Sequence, residues 1–249
     1  MARFIRHAPC ERCGSRDNNG IYDDGSTYCF GCHSYTGPSA ERFNPTAAMA
    51  ATEDGDGSVS RGVSNLLRSI REATTTAFPE SIVQYAGGFE LSVPELLSTG
   101  GRYYERINAL TFFYKNIHGE FCCAQARSFG GTGKNLPKYF NWGSTYDAFD
   151  LNGTSGGRVV ITEDKLSAIK VSGVCDAIPA LGTQFQNWKL VELFKRGYRR
   201  VYVWLDRDKW KEGREICEKA QWLGISATAI LTDEDPKCYT TEQIMEYLK

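Results

Sequence analysis

Arg158-Val159-Val160-Ile161-Thr162-Glu163-Asp164 and Val201-Tyr202-Val203-Trp204-Leu205-Asp206-Arg207-Asp208 are the two stretches on which the reading of this chain turns. Each is a short β-branched and aromatic run that stops at carboxylates. Runs bounded this way, with segments of helical spacing between them, read as adjacent or near-adjacent strands of a parallel sheet. A parallel sheet gathers the C-terminal ends of its strands along one edge, and ligands bind there. Glu163, Asp206 and Asp208 are therefore expected to converge although they lie far apart in the chain. Carboxylates held together repel one another unless a cation sits between them. A cluster with room for water and phosphate is the usual setting for magnesium. The stretch implies a magnesium-dependent phosphoryl-transfer site.

The chain between and beyond these runs fits the same sheet. Residues 164–171 read as a crossover helix closed by Gly173, 177–181 as a short strand, and 184–196 as a second helix carrying Phe185, Trp188, Leu190, Leu193 and Phe194. After Asp208, residues 212–223 read as a helix and 225–231 as a further strand ending near Asp233 and Asp235. This β–α alternation predicts a parallel sheet covered by helices.

A second pattern stands near the N-terminus. Cys10-Glu11-Arg12-Cys13 is followed by fifteen residues and then by Cys29-Phe30-Gly31-Cys32. Each pair can bite one metal from a tight turn, and a hairpin can bring the pairs together. The spacing matches a zinc ribbon with one structural zinc on Cys10, Cys13, Cys29 and Cys32; a closed four-thiolate shell leaves no position for catalysis. Tyr22, Asp23, Asp24, Ser26, Thr27 and Tyr28 are expected on the exposed strands of the ribbon. They suit stacking and edge contacts with single-stranded bases; alternatively, Tyr22 and Tyr28 cover the metal. His7 and His33 flank the ligands and are expected at the surface, against a partner. The remaining cysteines, Cys122, Cys123, Cys175, Cys217 and Cys238, lack ligand spacing and read as buried or idle thiols.

Composition bounds the rest. The 249 residues suffice for one large or two small domains, and 41% hydrophobic residues can build a sizeable core. A net charge of -1 gives no bulk attraction to nucleic acid. Between positions 102 and 138, however, Arg102, Arg106, Lys115, Arg127, Lys134 and Lys138 outnumber Glu105 and Glu120, as either a solvated face or a polyanion surface. No apolar run is long enough for a membrane span, and the N-terminus has no apolar core of a secretory signal. A cytoplasmic protein is expected.

Residues 37–62 are rich in Gly, Ala, Ser and Thr and read as a flexible linker. The chain is thus expected to divide into a ribbon (1–37), a linker (38–62), a middle region (63–155) and the parallel-sheet region (156–249). In the middle region, 63–73 has helical spacing, Pro79 opens a further helix ending near Gly87-Gly88, and 109–114 with 120–129 form a hairpin around Asn116-Ile117-His118-Gly119. Arg127 lies at the end of the second hairpin strand. Lys134 and Lys138 follow in a glycine-rich loop running on into Pro137-Lys138-Tyr139-Phe140-Asn141. Glycines beside lysines suit phosphate binding, although the run lacks the Gly-Lys-Ser/Thr ending of a Walker loop.

Zinc ribbon, linker, strand-end Glu and strand-end Asp-x-Asp together resemble the DnaG-type primases, most closely the primase half of the primase–helicases of T-odd bacteriophages, over nearly the whole chain. Val160-Ile161-Thr162-Glu163 and Leu205-Asp206-Arg207-Asp208 match the two core motifs of the TOPRIM fold. Asp235-Pro236-Lys237 resembles its later acidic motif. Lys138-Tyr139-Phe140-Asn141 is similar to the Lys-Tyr-Leu-Asn motif of bacterial primases, and residues 114–127 look like the family's hairpin. The resemblance implies an α/β chain with an N-terminal β zinc ribbon linked to an RNA polymerase domain with a TOPRIM parallel-sheet core. It implies a DNA primase, a nucleotidyltransferase making short RNA primers from ribonucleoside triphosphates on single-stranded DNA.

On that resemblance Glu163, Asp206 and Asp208 would hold Mg2+ or Mn2+, with Asp235 a further ligand, and Lys138 would join the catalytic centre. Arg127, Lys134 and Lys138 would bind nucleotide phosphates or template. The ribbon, through Tyr22, Asp24, Ser26, Tyr28 and His33, would select template sequence. A separate replicative helicase and a DNA polymerase are the implied partners, with no membrane, in the cytoplasm of a phage-infected host. Three departures from the family pattern stand out. Asp164 replaces the usual Gly, Ser167 replaces an acid four positions after Glu163, and Lys209 to Glu212 lengthen the approach to Gly213. They motivate a second reading, a single-stranded-DNA-binding replisome adaptor with a degenerate catalytic site. A third reading is a TOPRIM nuclease.

Overall fold

The computed structural model describes residues 4–10, 12–22, 26–32, 34–36, 61–130, 137–153, 156–182 and 185–249. Three four-stranded sheets are found among them. The first is a small antiparallel meander of β1 (Phe4–Ala8), β2 (Asn19–Tyr22), β3 (Thr27–Cys29) and β4 (Tyr35–Thr36). Nearly all of the expected linker lies outside the described residues; its last two, Arg61 and Gly62, already belong to helix α1 (Arg61–Glu72).

Two short helices follow. In α2 (Glu80–Gly87) Pro79 occupies the N-cap, where its missing N–H costs nothing. In α3 (Val93–Ser98) Ser92 and Glu95 form a reciprocal capping box with Pro94 in the first turn. This helix was not anticipated, although Ser-x-x-Glu around a proline is its sequence signal. The second sheet is again an antiparallel meander: β5 (Gly101–Tyr104), β6 (Ala109–Lys115), β7 (Phe121–Ser128) and β8 (Tyr139–Gly143). The expected hairpin is β6–β7. Residues 139–141, which follow the glycine-rich loop, begin the edge strand β8. Phe140 and Trp142, two apart and stacked, are a strand pattern, masked in the sequence by the glycines before it. Gly143 closes β8 at φ +77°, with the Cys122 carbonyl oxygen only 2.2 Å from where a Cβ would stand. No other residue fits that close approach.

The third sheet is parallel throughout, in the order β10 (Asp176–Pro179), β9 (Arg158–Thr162), β11 (Arg200–Trp204), β12 (Ser226–Ala229). Helices α4 (Lys165–Ser172), α5 (Asn187–Lys195) and α6 (Trp210–Trp222) are its crossovers, and α7 (Thr241–Tyr247), absent from the sequence reading, ends the chain. Side chains alternate along each strand. Val159, Ile161, Val201 and Val203 join Leu190 and Leu193 of α5 and Ile216 of α6 in one core. Val160, Tyr202 and Trp204 join Ala168 and Val171 of α4 and Ile244 of α7 in another. Helices therefore cover both faces of the sheet.

Helix α4 has a second function as a spacer. Its residues from Lys165 to Val171 are all buried, and Leu166 and Ile169 belong to the core under β6 and β7. A helix buried on all sides has no polar stripe, which is why Lys165-Leu166-Ser167-Ala168-Ile169-Lys170 looks featureless in sequence. Its two lysines are paired: Lys165 Nζ donates to Asp150 (2.6 Å) and Asn152 (2.7 Å), and Lys170 reaches out to the exposed Glu90 (2.6 Å). Gly173 follows the helix as expected but is right-handed, φ -66°. Among the described residues no helix is long and apolar enough to cross a membrane.

Candidate active site and metal centre

In the small sheet the two cysteine pairs come from matching knuckles. Cys10 N–H donates to the Ser15 carbonyl and Cys29 N–H to the Ser34 carbonyl, both at 2.8 Å, and Gly14 turns at φ +69°. The four sulfurs lie within 4.8 Å of one another. Cys10–Cys32 and Cys13–Cys29 are 3.7 and 3.6 Å apart, close to the roughly 3.8 Å edge of a tetrahedron of thiolates around zinc. Ser15 and Ser34 hydroxyls sit 3.3 and 3.2 Å from Cys13 and Cys32, where they orient metal-bound thiolates. The donor set fits zinc.

Around this centre the expected base-contacting residues separate. Ser26 is 3% exposed, so it offers no edge to a base, contrary to the expectation. Tyr28 stands edge-on to Phe30 at 5.0 Å and reaches the wall of the large cleft described below. Phe30, between two ligands and half exposed, had not been singled out. Asp24, His33 and the side chain of Tyr22 lie outside the described residues, as does Lys134.

The cleft has a volume of about 420 Å³ and lies between the antiparallel sheet and the C-terminal edge of the parallel one. The parallel order 10-9-11-12 reverses direction between β9 and β11: the chain leaves β9 toward β10, then returns past it to β11. That switch point opens the crevice in which such sheets bind ligands. Thr162 and Trp204 are paired there, so Glu163 and Asp206 emerge side by side into the cleft. The Asp206 backbone N–H lies near the Glu163 carboxylate and favours its charged form. Glu163 Oε2 and Asp206 Oδ1 are nevertheless buried with no hydrogen-bond partner. Burial raises the Glu163 carboxyl above the usual range. Burial, then repulsion from Glu163 and Asp235, pushes Asp206 up to about 7. Two orphaned, mutually repelling carboxylate oxygens are the donor chemistry of a divalent cation.

Asp208 does not join them. After Asp206 the chain enters a 3-10 turn, Arg207–Lys209, which rotates Asp208 outward; it is 71% exposed and pairs with Lys209 at 2.7 Å. Among the described residues the four cysteines are the only group placing three or more ligand atoms within 4.8 Å. Asp235 does reach the cluster, close enough to Asp206 for a shared hydrogen bond. Beside it stands Lys237, whose ammonium donates to Asp235 and, at 2.7 Å, to Asp164. Burial disfavours that charge, but the Asp164 and Asp235 carboxylates more than offset the cost and hold it well above the usual lysine range. Lys237 was seen in sequence only as part of an acidic motif.

The opposite wall comes from β7 and β8. Arg127 donates to the Tyr139 hydroxyl at 2.9 Å and stacks at 4.3 Å on the Tyr85 ring. Tyr85 carried no sequence signal. Strand alternation sends Tyr139 and Asn141 to the cleft. Lys138, one position earlier, is exposed outside the cleft wall with its ammonium 5.3 Å over the Tyr139 ring, not at the carboxylates.

No family model matches the sequence. Over 39 residues the chain is 49% identical to a DNA helicase/primase of Enterobacteria phage T3, a match spanning 16% of this chain and 7% of that protein. Its fold is similar to the zinc-binding and RNA polymerase domains of the Aquifex aeolicus primase (TM-score 0.57, 12% identity, 99% of this chain and 79% of that one). It is also similar to a DnaG primase catalytic domain bound to ssDNA (TM-score 0.59, 14% identity, 75% and 77%). The architecture is thus that of the DnaG-type primases, an α/β fold with a four-cysteine ribbon. The likeness to T-odd phage primase–helicases stands on the phage T3 protein, of which this chain matches less than a tenth.

Proposed function

We propose that this chain is a DNA primase, a nucleotidyltransferase that joins ribonucleotides on single-stranded DNA. The observation that carries the reading is the pair of buried, unpartnered oxygens, Glu163 Oε2 and Asp206 Oδ1, at the switch point of the parallel sheet. In this reading the sheet is a TOPRIM core (156–249), residues 63–155 form the other part of the RNA polymerase domain, and the ribbon (1–37) is a separate module behind the linker. Glu163 and Asp206 would hold Mg2+ or Mn2+, with Asp235 beside them and Asp208 reaching the site only if its turn rearranges. The cation would supply charge neutralisation and alignment at the α-phosphate attacked by a 3′-hydroxyl.

The chain's own residues then have distinct work. Arg127, held rigid by Tyr85 and Tyr139, binds nucleotide or template phosphate across the cleft from the carboxylates. Exposed Tyr139 and, from the ribbon, Tyr28 offer stacking faces for bases. Lys138, and Lys134 in the preceding loop, add phosphate contacts at the rim. Template, ribonucleoside triphosphates, a separate replicative helicase and a DNA polymerase are the proposed partners, in the host cytoplasm.

The test is primer synthesis from ribonucleotides on varied single-stranded templates with Mg2+ or Mn2+, comparing wild type with Asp206→Asn. Wild type should make di- and oligonucleotides, the variant none, with ssDNA binding nearly unchanged. A folded, zinc-loaded wild type that binds ssDNA yet makes no dinucleotide on any template would establish the adaptor reading instead. Cleavage of labelled DNA in the same assay would establish a nuclease.

A further inference from the structure

The cleft holds more carboxylates than its two orphaned oxygens account for. Glu163 and Asp206 form one half. Asp164 and Asp235 form the other, and there three of the four oxygens are already engaged. Asp164 Oδ1 accepts from the Ser167 N–H at 3.0 Å, and Asp164 Oδ2 accepts from the Ser167 hydroxyl at 3.0 Å and from Lys237 at 2.7 Å. Asp235 Oδ2 accepts from Lys237 as well. The ammonium is not a mobile surface group. Its side chain is only 12% exposed, it lies 5.7 Å over the Phe89 ring, and it is carried on the short 3-10 turn Pro236–Cys238, whose Pro236 is buried. It therefore sits where a cation bridging Asp164 and Asp235 would have to sit.

Resting on the metal reading of the cleft, we infer that Lys237 is a built-in cation that fills the Asp164–Asp235 half, so that the site takes one divalent ion, on Glu163 and Asp206, and not two. A lysine ammonium is a compact point charge with three donors. It can bridge the two carboxylates, offset one of their two negative charges and leave a donor for a phosphate oxygen. It supplies no ligand positions or bound water, so whatever a second metal would do by coordination is absent here. Lys237 is thus a positioning residue: it holds Asp164 as the cap of α4 and Asp235 against Asp206, and it keeps a fixed positive charge beside the ion.

The count of ions decides the matter without reference to turnover. The full, zinc-loaded chain is titrated with Mn2+ at neutral pH, and bound ions are counted from the loss of the free-ion electron paramagnetic resonance signal. Wild type is expected to bind one ion per chain, lost in Glu163→Gln. Lys237→Met should bind a second, and adding Asp164→Asn should remove it again; Lys237→Arg, which keeps the charge, should stay at one. Two wild-type ions that both disappear in Glu163→Gln overturn the inference, and they do so even if Lys237→Met fails to fold. So does a folded Lys237→Met that still binds one. A wild type that binds no Mn2+ lost in Glu163→Gln overturns the metal reading of the cleft itself, which is a separate result.

Discussion

Thr162 of β9 and Trp204 of β11 are partners at the last register position of the two central strands, and that pairing delivers Glu163 and Asp206 to one point of the sheet edge. Trp204 itself turns to the opposite side, where its indole N–H donates to Thr232 at 2.7 Å and its ring packs on Tyr239 and Tyr247. The rigid packing beneath the strand ends fixes the carboxylates above. With no cation their charges are held together at a cost, and the first prediction follows from it.

Asp206 titrates at about 7 in the folded chain, through burial and then Glu163; an unfolded aspartate titrates near 3.9. Between those values the folded state keeps a proton that the unfolded state has lost. Zinc-loaded protein without Mg2+ or Mn2+ should therefore lose stability as pH rises from about 4 to 7, with no further loss from this group above. For a half-buried group the screened effect is about 1 kcal/mol, or roughly 2–4 °C in a chain of this size. Thermal melts of wild type and Asp206→Asn at pH 5 and pH 8 measure it. Wild type should fall relative to the variant as pH rises, and Mn2+ should restore it at pH 8. Parallel pH profiles would contradict the assignment.

The ribbon is too small to hold itself together without its metal. Purified chain should contain one zinc, and Cys29→Ser, at a fully buried ligand position, should lose it. Near-ultraviolet dichroism from buried Trp204 should survive the loss, because the parallel sheet has its own cores. Collapse of that signal on chelation would show that ribbon and sheet fold as one unit.

Lys165 is 6% exposed, and burial pushes its ammonium below the ordinary lysine range while Asp150 opposes the shift. Replacing it with Met strands the Asp150 carboxylate and should cost about 3 kcal/mol in denaturant unfolding. The double change with Asp150→Asn should recover a good part. A single variant within about 0.5 kcal/mol of wild type would mean that the pair does not clamp α4.

Arg127 should contribute one phosphate contact. Arg127→Met is expected to weaken ssDNA or nucleotide binding about tenfold, and to lower the salt dependence of ssDNA binding by about one phosphate. Lys is a poor replacement, because a point charge does not stack on Tyr85 as a planar guanidinium does. Fluorescence anisotropy across a salt series distinguishes the two substitutions; unchanged binding in Arg127→Met would remove Arg127 from the interface.

Much of this molecule is written in local patterns. The two CxxC pairs, the β6–β7 hairpin and the apolar runs ending at Glu163 and Asp206 depend on spacing and periodicity, and these are properties of neighbouring residues. Helix α3 and strand β8 carried local signals too, a capping box and an aromatic alternation, which the surrounding glycines and prolines obscured. Helix α4 carried no stripe to read, because both of its sides are buried.

The sequence by itself determined the ligand set of the ribbon, the parallel strands and the carboxylates at their ends. Only the tertiary structure decided which of those carboxylates face the cleft: it turns Asp208 out to Lys209 and brings Lys237 in between Asp164 and Asp235. It also set Tyr85 under Arg127. The reason is physical. Strand formation follows from neighbours a few residues away, whereas the partner of a charge is whatever distant segment packing and desolvation bring to within hydrogen-bonding reach.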